Sequence, residues 1–158
     1  NSSQFTSAIK EKVLSIDDLK TVFGDEWDGK IELTESVDLS SGEIKYVVIE
    51  DEDVVLTVAK DKKDVTFKGR IVIGAEGVTV SNLKIVNTPV NEDANGYWTK
   101  TAITAFADKV TITGNEISVA DAPAGVLANG VVLYPQSEKV TWNVSGNTFE
   151  GLNQSVRR

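Results

Sequence analysis

The sequence contains no cysteine and no histidine. Without cysteine, the chain can form neither a disulfide framework nor a thiolate metal site. Without histidine, it lacks the commonest general base, the Ser-His-Asp triad and the commonest side-chain ligand of zinc and iron. These two absences exclude triad hydrolases and the usual cysteine- and histidine-based zinc sites before any motif is considered.

Positive charge and long apolar runs are also scarce. The net charge is −8 and the isoelectric point is about 4.6, whereas nucleic-acid binding rests on clustered lysine and arginine. The longest apolar runs are short, such as residues 46–49, and a membrane-spanning helix needs about 20 apolar residues. We therefore expect no nucleic-acid partner and no direct insertion into a membrane.

The length of 158 residues suits one domain with a hydrophobic core. Residues 1–7 are predicted to be a flexible leader, and residues 8–158 a single domain. Near the start of that domain, Ser15 and Asp18 form a helix-capping pattern, and a glycine follows as a stop signal. The pattern predicts a short helix over residues 15–24.

From residue 30 onward, apolar and polar residues alternate in short runs rich in valine, isoleucine and threonine, which indicates β-strands. A similar segment recurs three times, as VTVSNLKI (78–85), VTITGNEI (110–117) and VTWNVSGNTF (140–149). Each copy follows a further apolar strand, so one repeat contains three short strands. Repeats that bury their apolar face only by stacking are typical of a parallel β-helix.

The repeat also predicts the size of the column. The first valines of the three segments are 32 and 30 residues apart, which predicts about five coils and a column about 25 Å long at about 4.8 Å per coil. Asn82, Asn115 and Asn147 are predicted to stack at one corner, because asparagine tolerates the left-handed backbone of a sharp turn. A β-sandwich is the alternative, although its strands are usually longer.

The stretch LSIDDLKTVFGDEWDGKIELTESVDLS resembles the N-terminal cap of pectate-lyase-like proteins, and VTITGNEI and VSGNTF resemble the coil motif of that superfamily. The resemblance covers roughly residues 13–151. It implies an all-β, right-handed parallel β-helix with a short N-terminal capping helix. It also implies a bacterial protein that is extracellular or on the cell surface, with the periplasm as the alternative. The superfamily contains lyases, hydrolases, phage spikes, adhesins and surface-layer-associated proteins, so the resemblance predicts architecture and not activity.

Two insertions interrupt the coil rhythm, at residues 87–100 and 120–129. They occupy equivalent places in successive coils and should project side by side, and loops on a rigid scaffold commonly carry function. Aromatic rings there can stack on the apolar faces of sugars, while carboxylates and amides bind hydroxyl groups. The candidate ligand-binding residues are Glu92, Asp93, Asn95, Tyr97 and Trp98 in the first loop, with Tyr134 and Trp142 in the neighbouring coil. The alternative is that the two loop aromatics fold down and cover the scaffold.

The densest run of carboxylates is Glu50, Asp51, Glu52 and Asp53. Calcium takes several oxygen ligands, so this run is a candidate Ca²⁺ site. No D-x-D-x-D-G loop accompanies it, and a solvated turn is the alternative interpretation. No other cofactor is predicted.

No catalytic residue is assigned. The resemblance implies a lyase only if calcium-binding carboxylates lie beside an arginine or lysine base, and of the three arginines Arg157 and Arg158 lie at the end of the chain. The predicted function is a non-catalytic extracellular domain that binds polysaccharide, or another surface protein, through loops 87–100 and 120–129. A calcium-dependent polysaccharide lyase, or a degenerate relative of one, is one alternative. A structural spacer that stacks on the next domain is another.

Overall fold

The structure, a computed structural model, describes residue 5 and residues 19–40, 46–90, 96–120 and 122–158. Within these residues, fifteen short strands form three parallel sheets of five strands each. The chain passes through the first, second and third sheets in turn, so three consecutive strands make one coil. The described chain is thus a parallel β-solenoid of five coils, which confirms the fold predicted from the repeat.

The strands are short and are shared evenly among the sheets. The first sheet contains β1 (Lys30–Leu33), β4 (Val55–Val58), β7 (Val78–Ser81), β10 (Lys109–Thr113) and β13 (Thr141–Ser145). The second contains β2 (Val37–Asp38), β5 (Thr66–Lys68), β8 (Lys84–Asn87), β11 (Glu116–Val119) and β14 (Thr148–Phe149). The third contains β3 (Tyr46–Ile49), β6 (Arg70–Ile73), β9 (Thr101–Ala105), β12 (Asn129–Leu133) and β15 (Gln154–Arg157). The described helical segments are α1 (Leu19–Phe23) and the 3₁₀ helices η1 (Gly24–Glu26) and η2 (Gly96–Lys100).

Side chains alternate between the core and the surface along the strands, as the period-2 pattern predicts. In β7, Val78 and Val80 are fully buried, whereas Thr79 between them is half-exposed. The register pairs Val80 with Leu56 on one side and Ile112 on the other, so successive coils form a continuous apolar column. Burying one valine, leucine or isoleucine contributes about 1.5–3 kcal/mol, and the inner side chains gain this burial only because the coils stack.

Aromatic side chains lie at both ends of the core. At the N-terminal end, Phe5 and Phe23 are buried, and the Phe23 ring lies 5.6 Å from that of Trp27, measured between centroids. At the other end, the fifth coil packs half-buried side chains against the core, namely Trp142, Val144, Phe149 and Leu152. The inner side chains of the first coil are thus buried, whereas those of the fifth coil stay partly exposed.

The predicted capping helix is described only in its second half. Residues 19–26 form α1 and then η1, and α1 ends at Phe23, directly before Gly24, whose positive φ of 59° is the conformation expected of a glycine stop. Residues 15–18 lie outside the described residues, as does all of the predicted leader 1–7 except Phe5. No helix in the described part of the chain is long and apolar enough to cross a membrane.

The register corrects the predicted alignment of the repeats. Val110 pairs with Val78, as predicted, but on its other side it pairs with Trp142 and not with Val140. The repeat is therefore 32 residues long on both sides. A shift of two residues leaves the same strand face toward the core, so strand periodicity alone could not separate the two alignments. The predicted stacking of Asn115 on Asn147, 32 residues apart, agrees with the observed register.

Asparagine supports the corner between the first and second sheets. The Nδ2 group of Asn115 donates to Oδ1 of Asn147 (3.0 Å) and to the carbonyl of Val80 (3.0 Å). The Oδ1 atom of Asn115 accepts from the amide of Leu83 (3.0 Å). The prediction that Asn82 joins this ladder is wrong, because its spacing from the start of its repeat is one residue shorter and Leu83 takes the equivalent place.

Carboxylates support the corner between the third and first sheets. The two oxygens of Glu76 accept from the backbone amides of Asp108 (3.2 Å) and Lys109 (2.7 Å) in the next coil. The Oδ1 atom of Asp108 accepts in turn from the amides of Gln136 (2.6 Å) and Ser137 (3.3 Å). These hydrogen bonds, above all the one from Gln136, hold the pKa of Asp108 below its usual value of 3.8.

We expect acid to weaken this corner. Because the pKa of Asp108 is lowered by folding, its contribution to stability is fully present above about pH 3.8 and is lost as the pH falls through the folded value. Asp108→Asn should lower stability at pH 7 and make the loss of stability between about pH 5 and pH 2 shallower. Urea unfolding midpoints across that range test this, with the exposed Asp61→Asn as control. A variant at Asp108 that keeps the wild-type pH slope would contradict the assignment.

Candidate functional site

The outer face of the third sheet carries an aromatic and apolar surface. In β3, Val47 points into the core and is fully buried, whereas Tyr46 and Val48 point outward and are half-buried. The register places Arg70 of β6 beside Tyr46, and Val72 beside Val48. Two neighbouring coils therefore present ring and methyl groups on the same outer face.

The end of the 87–100 loop returns over this face as η2. The indole ring of Trp98 lies with its centroid 4.9 Å from that of the Tyr46 ring, at an interplanar angle of 72°. This edge-to-face contact is one of the arrangements that aromatic pairs favour. Trp98 thus packs onto the sheet and stays half-exposed.

The buried side chain of Arg70 stabilises the contact between Trp98 and Tyr46. Its side chain is only 3% exposed, and its Nη1 group donates to the carbonyl of Trp98 (3.1 Å). Its Cζ atom lies 5.4 Å from the ring centroids of both Tyr46 and Trp98, which is within cation–π range. The guanidinium is covered by these groups, so Arg70 is not presented to a substrate as a catalytic base would have to be.

A second aromatic pair lies on the same sheet. Phe106 follows β9 and Tyr134 follows β12, and their rings are stacked with centroids 4.8 Å apart and an interplanar angle of 9°. The Phe106 side chain is 37% exposed. A groove of about 410 Å³, which we call the aromatic groove, is lined by Tyr46, Val48, Val72, Trp98 and Phe106.

The two insertions leave the same corner of the solenoid, as predicted. The first lies between β8 and β9, and the second between β11 and β12. Asn87 links them, because its Nδ2 group donates to the carbonyls of Lys100 and Asn129 (3.0 Å each). Both loops therefore start from one hydrogen-bonded base beside the third sheet.

The predicted ligand-binding residues are only partly brought together. Trp98 lines the aromatic groove, and Tyr134 supports it by stacking on Phe106. Tyr97 lies in η2 next to Trp98. Three further residues of the first loop, Glu92, Asp93 and Asn95, lie outside the described residues.

Trp142 lies apart from the aromatic groove. It belongs to β13 in the first sheet, where its ring packs against the core. Its Nε1 group donates to the carbonyl of Ala107 (2.8 Å). The contacts of Trp142 are thus structural ones at the end of the column.

Sequence reasoning missed the groove residues that belong to strands. Tyr46 and Val48 lie in the run YVVI, in which all four residues are apolar, so the usual polar outward positions are missing. A strand that is apolar on both faces is expected to be covered or to bind something on its outer face. That signal could have identified Tyr46 and Val48, whereas nothing in the local pattern around Phe106 distinguishes it.

The predicted calcium-binding run forms the turn between β3 and β4. Glu50, Asp51, Glu52 and Asp53 line a depression of about 560 Å³ together with Trp27, Asp28 and Gly29. Asp53 has a left-handed backbone (φ 61°), and its amide donates to the carbonyl of Glu76 (3.0 Å). Across the described ranges, no three histidine, cysteine or carboxylate side chains are grouped so that they could hold a metal ion. Calcium binding at Glu50–Asp53 stays a prediction.

Comparison with known proteins adds no relative. No family model, no curated protein and no solved structure matches the chain. The parallel β-solenoid is therefore established by the strand pairing itself, and membership of the pectate-lyase-like superfamily stays a hypothesis drawn from the sequence motifs.

Proposed function

We propose that the chain is a non-catalytic carbohydrate-binding domain of a bacterial surface or secreted protein, and that it belongs to the pectate-lyase-like superfamily. The observation that carries this proposal is the aromatic groove on the outer face of the third sheet. The rings of Trp98 and Phe106 and the methyl groups of Val48 and Val72 offer apolar surface to the C–H faces of sugar rings.

The groove is built for binding with little reorganisation. Its Val48 and Val72 belong to paired strands, and Trp98 is held by its contact with Tyr46 and by the hydrogen bond from Arg70. A preorganised site loses less side-chain entropy when a ligand binds. The phenol of Tyr134, whose ring stacks on Phe106, offers a polar partner for a sugar hydroxyl beside the groove.

No reaction is assigned to the groove. Its lining contains no carboxylate, whereas glycoside hydrolysis uses a pair of carboxyl groups on either side of the scissile bond. Arg70 is covered by Tyr46 and Trp98. These side chains suit binding by stacking and not proton transfer.

Removing a groove ring should weaken binding of neutral polysaccharide. Trp98→Ala and Phe106→Ala should each reduce affinity by about tenfold or more, because aromatic anchors in a binding site carry most of its energy. Affinity electrophoresis against hydroxyethyl cellulose, xylan and galactomannan identifies the polymer that binds. Isothermal titration then measures the two variants on that polymer.

The control for this experiment removes apolar surface elsewhere. Val140 is 41% exposed and lies outside both grooves, so Val140→Ala should bind like the wild type. Trp98→Phe should keep most of the affinity, because a ring remains. If no neutral polymer is retained, or if Trp98→Ala and Val140→Ala bind equally well, the aromatic groove is not a carbohydrate site.

A further inference from the structure

Four of the thirteen lysines line one groove at the corner between the first and second sheets, although the chain as a whole is acidic. The groove has a volume of about 450 Å³ and is rimmed by Lys60, Lys62, Lys63 and Lys84. One carboxylate, that of Glu116, also lines this groove. We propose that this lysine groove binds the acidic groups of an anionic polysaccharide, and that it does so independently of the aromatic groove.

The corner forms a groove because its turns differ in length. Residues 59–65 join β4 to β5 in seven residues, whereas the equivalent turns in the next two coils, 82–83 and 114–115, have two residues each. The amide of Lys62 donates to the carbonyl of Ala59 (3.0 Å), which closes the long turn on itself. The long turn therefore stands beside two short ones and leaves a step on the surface.

The lysines in this step outnumber the neighbouring carboxylates, because Lys60, Lys62, Lys63 and Lys84 stand against Glu116 in the lining and Asp61 and Asp64 in the same turn. Of the lysines in the described part of the chain, Lys30 makes an ion pair, with Glu32 (2.7 Å), and no such pair involves Lys60, Lys62, Lys63 or Lys84. Four ammonium groups within one concave surface raise the local concentration of anions, because fields add in a cleft. The site is thus positive within a protein of net charge −8.

The lysine groove also contains apolar side chains and a carboxamide, which can contact the rings and hydroxyl groups of a sugar. Val58 and Val65 are half-buried and form apolar floor. Asn82 is exposed, and its carboxamide makes no hydrogen bond with any described residue, so it can bind a hydroxyl group. Its side chain lies over Gly114, where a Cβ would be 2.5 Å from the Oδ1 atom of Asn82, so glycine at this position leaves room for the amide.

The side chains in and beside the lysine groove favour a linear sugar polymer over a nucleic acid. No aromatic side chain lines the lysine groove, whereas single-stranded nucleic acids are bound by rings that stack on bases. From Lys84 and Glu116 the surface continues as a second depression of about 330 Å³ across the second sheet, with hydroxyl groups on Thr66, Ser118 and Thr148 and the carboxylate of Glu150 at its edge. A polymer held by its acidic groups at the lysines could extend along this row of hydroxyls.

The test compares two double variants of the full chain that change the net charge equally. Lys62→Gln/Lys84→Gln removes two charges from the lysine groove, and Lys109→Gln/Lys139→Gln removes two exposed charges elsewhere. Isothermal titration uses polygalacturonate as the carboxylate polymer, chondroitin sulfate as the sulfated polymer and dextran as the neutral one. We expect salt-sensitive binding of at least one anionic polymer, about three- to tenfold weaker in the groove variant and unchanged within about twofold in the control.

Comparing polygalacturonate with chondroitin sulfate tells whether carboxylate or sulfate is preferred, and either preference supports the proposal. Retained binding of the anionic polymer by Trp98→Ala also supports it and separates it from the proposed function of the aromatic groove. The proposal is overturned if neither anionic polymer binds, if both double variants lose affinity equally, or if Trp98→Ala removes binding as completely as the lysine variant.

Discussion

Replacing Asn115 with alanine should lower the free energy of unfolding by about 2–5 kcal/mol, because its side chain joins two buried backbone groups of the neighbouring coil. Its Oδ1 accepts from the amide of Leu83 and its Nδ2 donates to the carbonyl of Val80. Asn115 is 1% exposed, so water cannot readily replace the lost partners. Urea unfolding followed by circular dichroism measures the loss.

Two further asparagine variants serve as comparisons for the loss of stability at Asn115. Asn147 makes similar hydrogen bonds, to the carbonyl of Ile112 and with Asn115, but it is half-buried in the last coil, so Asn147→Ala should lose only about 1 kcal/mol. Asn82→Gly should change stability by less than about 1 kcal/mol, because its side chain is exposed and glycine accepts its positive φ. Equal losses at Asn115, Asn147 and Asn82 would show that the ladder does not support this corner.

Replacing Arg70 with leucine should lower the free energy of unfolding by about 2–4 kcal/mol and should also loosen Trp98. The variant loses a hydrogen bond from a charged donor to the Trp98 carbonyl, worth about 1.5–3 kcal/mol, and two cation–π contacts. Leucine restores apolar volume at this buried site, so the loss reports the polar contacts and not an empty cavity. Acrylamide quenching of tryptophan fluorescence in the folded protein should increase, because Trp98 is no longer held against Tyr46.

The control for Arg70 lies on the same sheet. Arg157 is exposed in β15, and Arg157→Leu should change stability by no more than about 0.5 kcal/mol and should leave quenching as in the wild type. Arg70→Leu should also weaken binding of neutral polysaccharide in conditions where the variant is fully folded, because Arg70 positions the Trp98 ring. A stable Arg70→Leu variant with unchanged quenching would contradict the role of Arg70 in holding the loop.

The fold could be predicted because its signals are local and repeated. Inward-facing valines such as Val78 and Val110 recur with the strand period, and three strands recur with each repeat. Strand alternation alone did not predict the register at every coil, because Val140 and Trp142 are two residues apart and fit the same period-2 pattern. The 32-residue spacing of Asn115 and Asn147 did carry this information, and their hydrogen bond across coils accompanies the pairing of Val110 with Trp142.

The candidate site was predictable only where the residue type itself was informative. The aromatic loop identified Trp98, and the structure places it at the aromatic groove. The groove also needs Tyr46 from the first coil, Phe106 from the far end of β9, and Arg70 from the second coil, which is covered by the Trp98 ring. The spacing of residues along the chain signals none of these contacts, because they join residues that are far apart in the sequence.

By itself, the sequence determined that this chain forms stacked coils of short strands, because strand periodicity and the repeat are properties of neighbouring residues. It also excluded histidine and cysteine chemistry by composition. Only the tertiary structure decided which outer surfaces form grooves. Tyr46 and Trp98 are far apart in the chain and meet only when the loop returns over the sheet, and Lys62 and Lys84 share a groove only because adjacent coils stack with turns of unequal length.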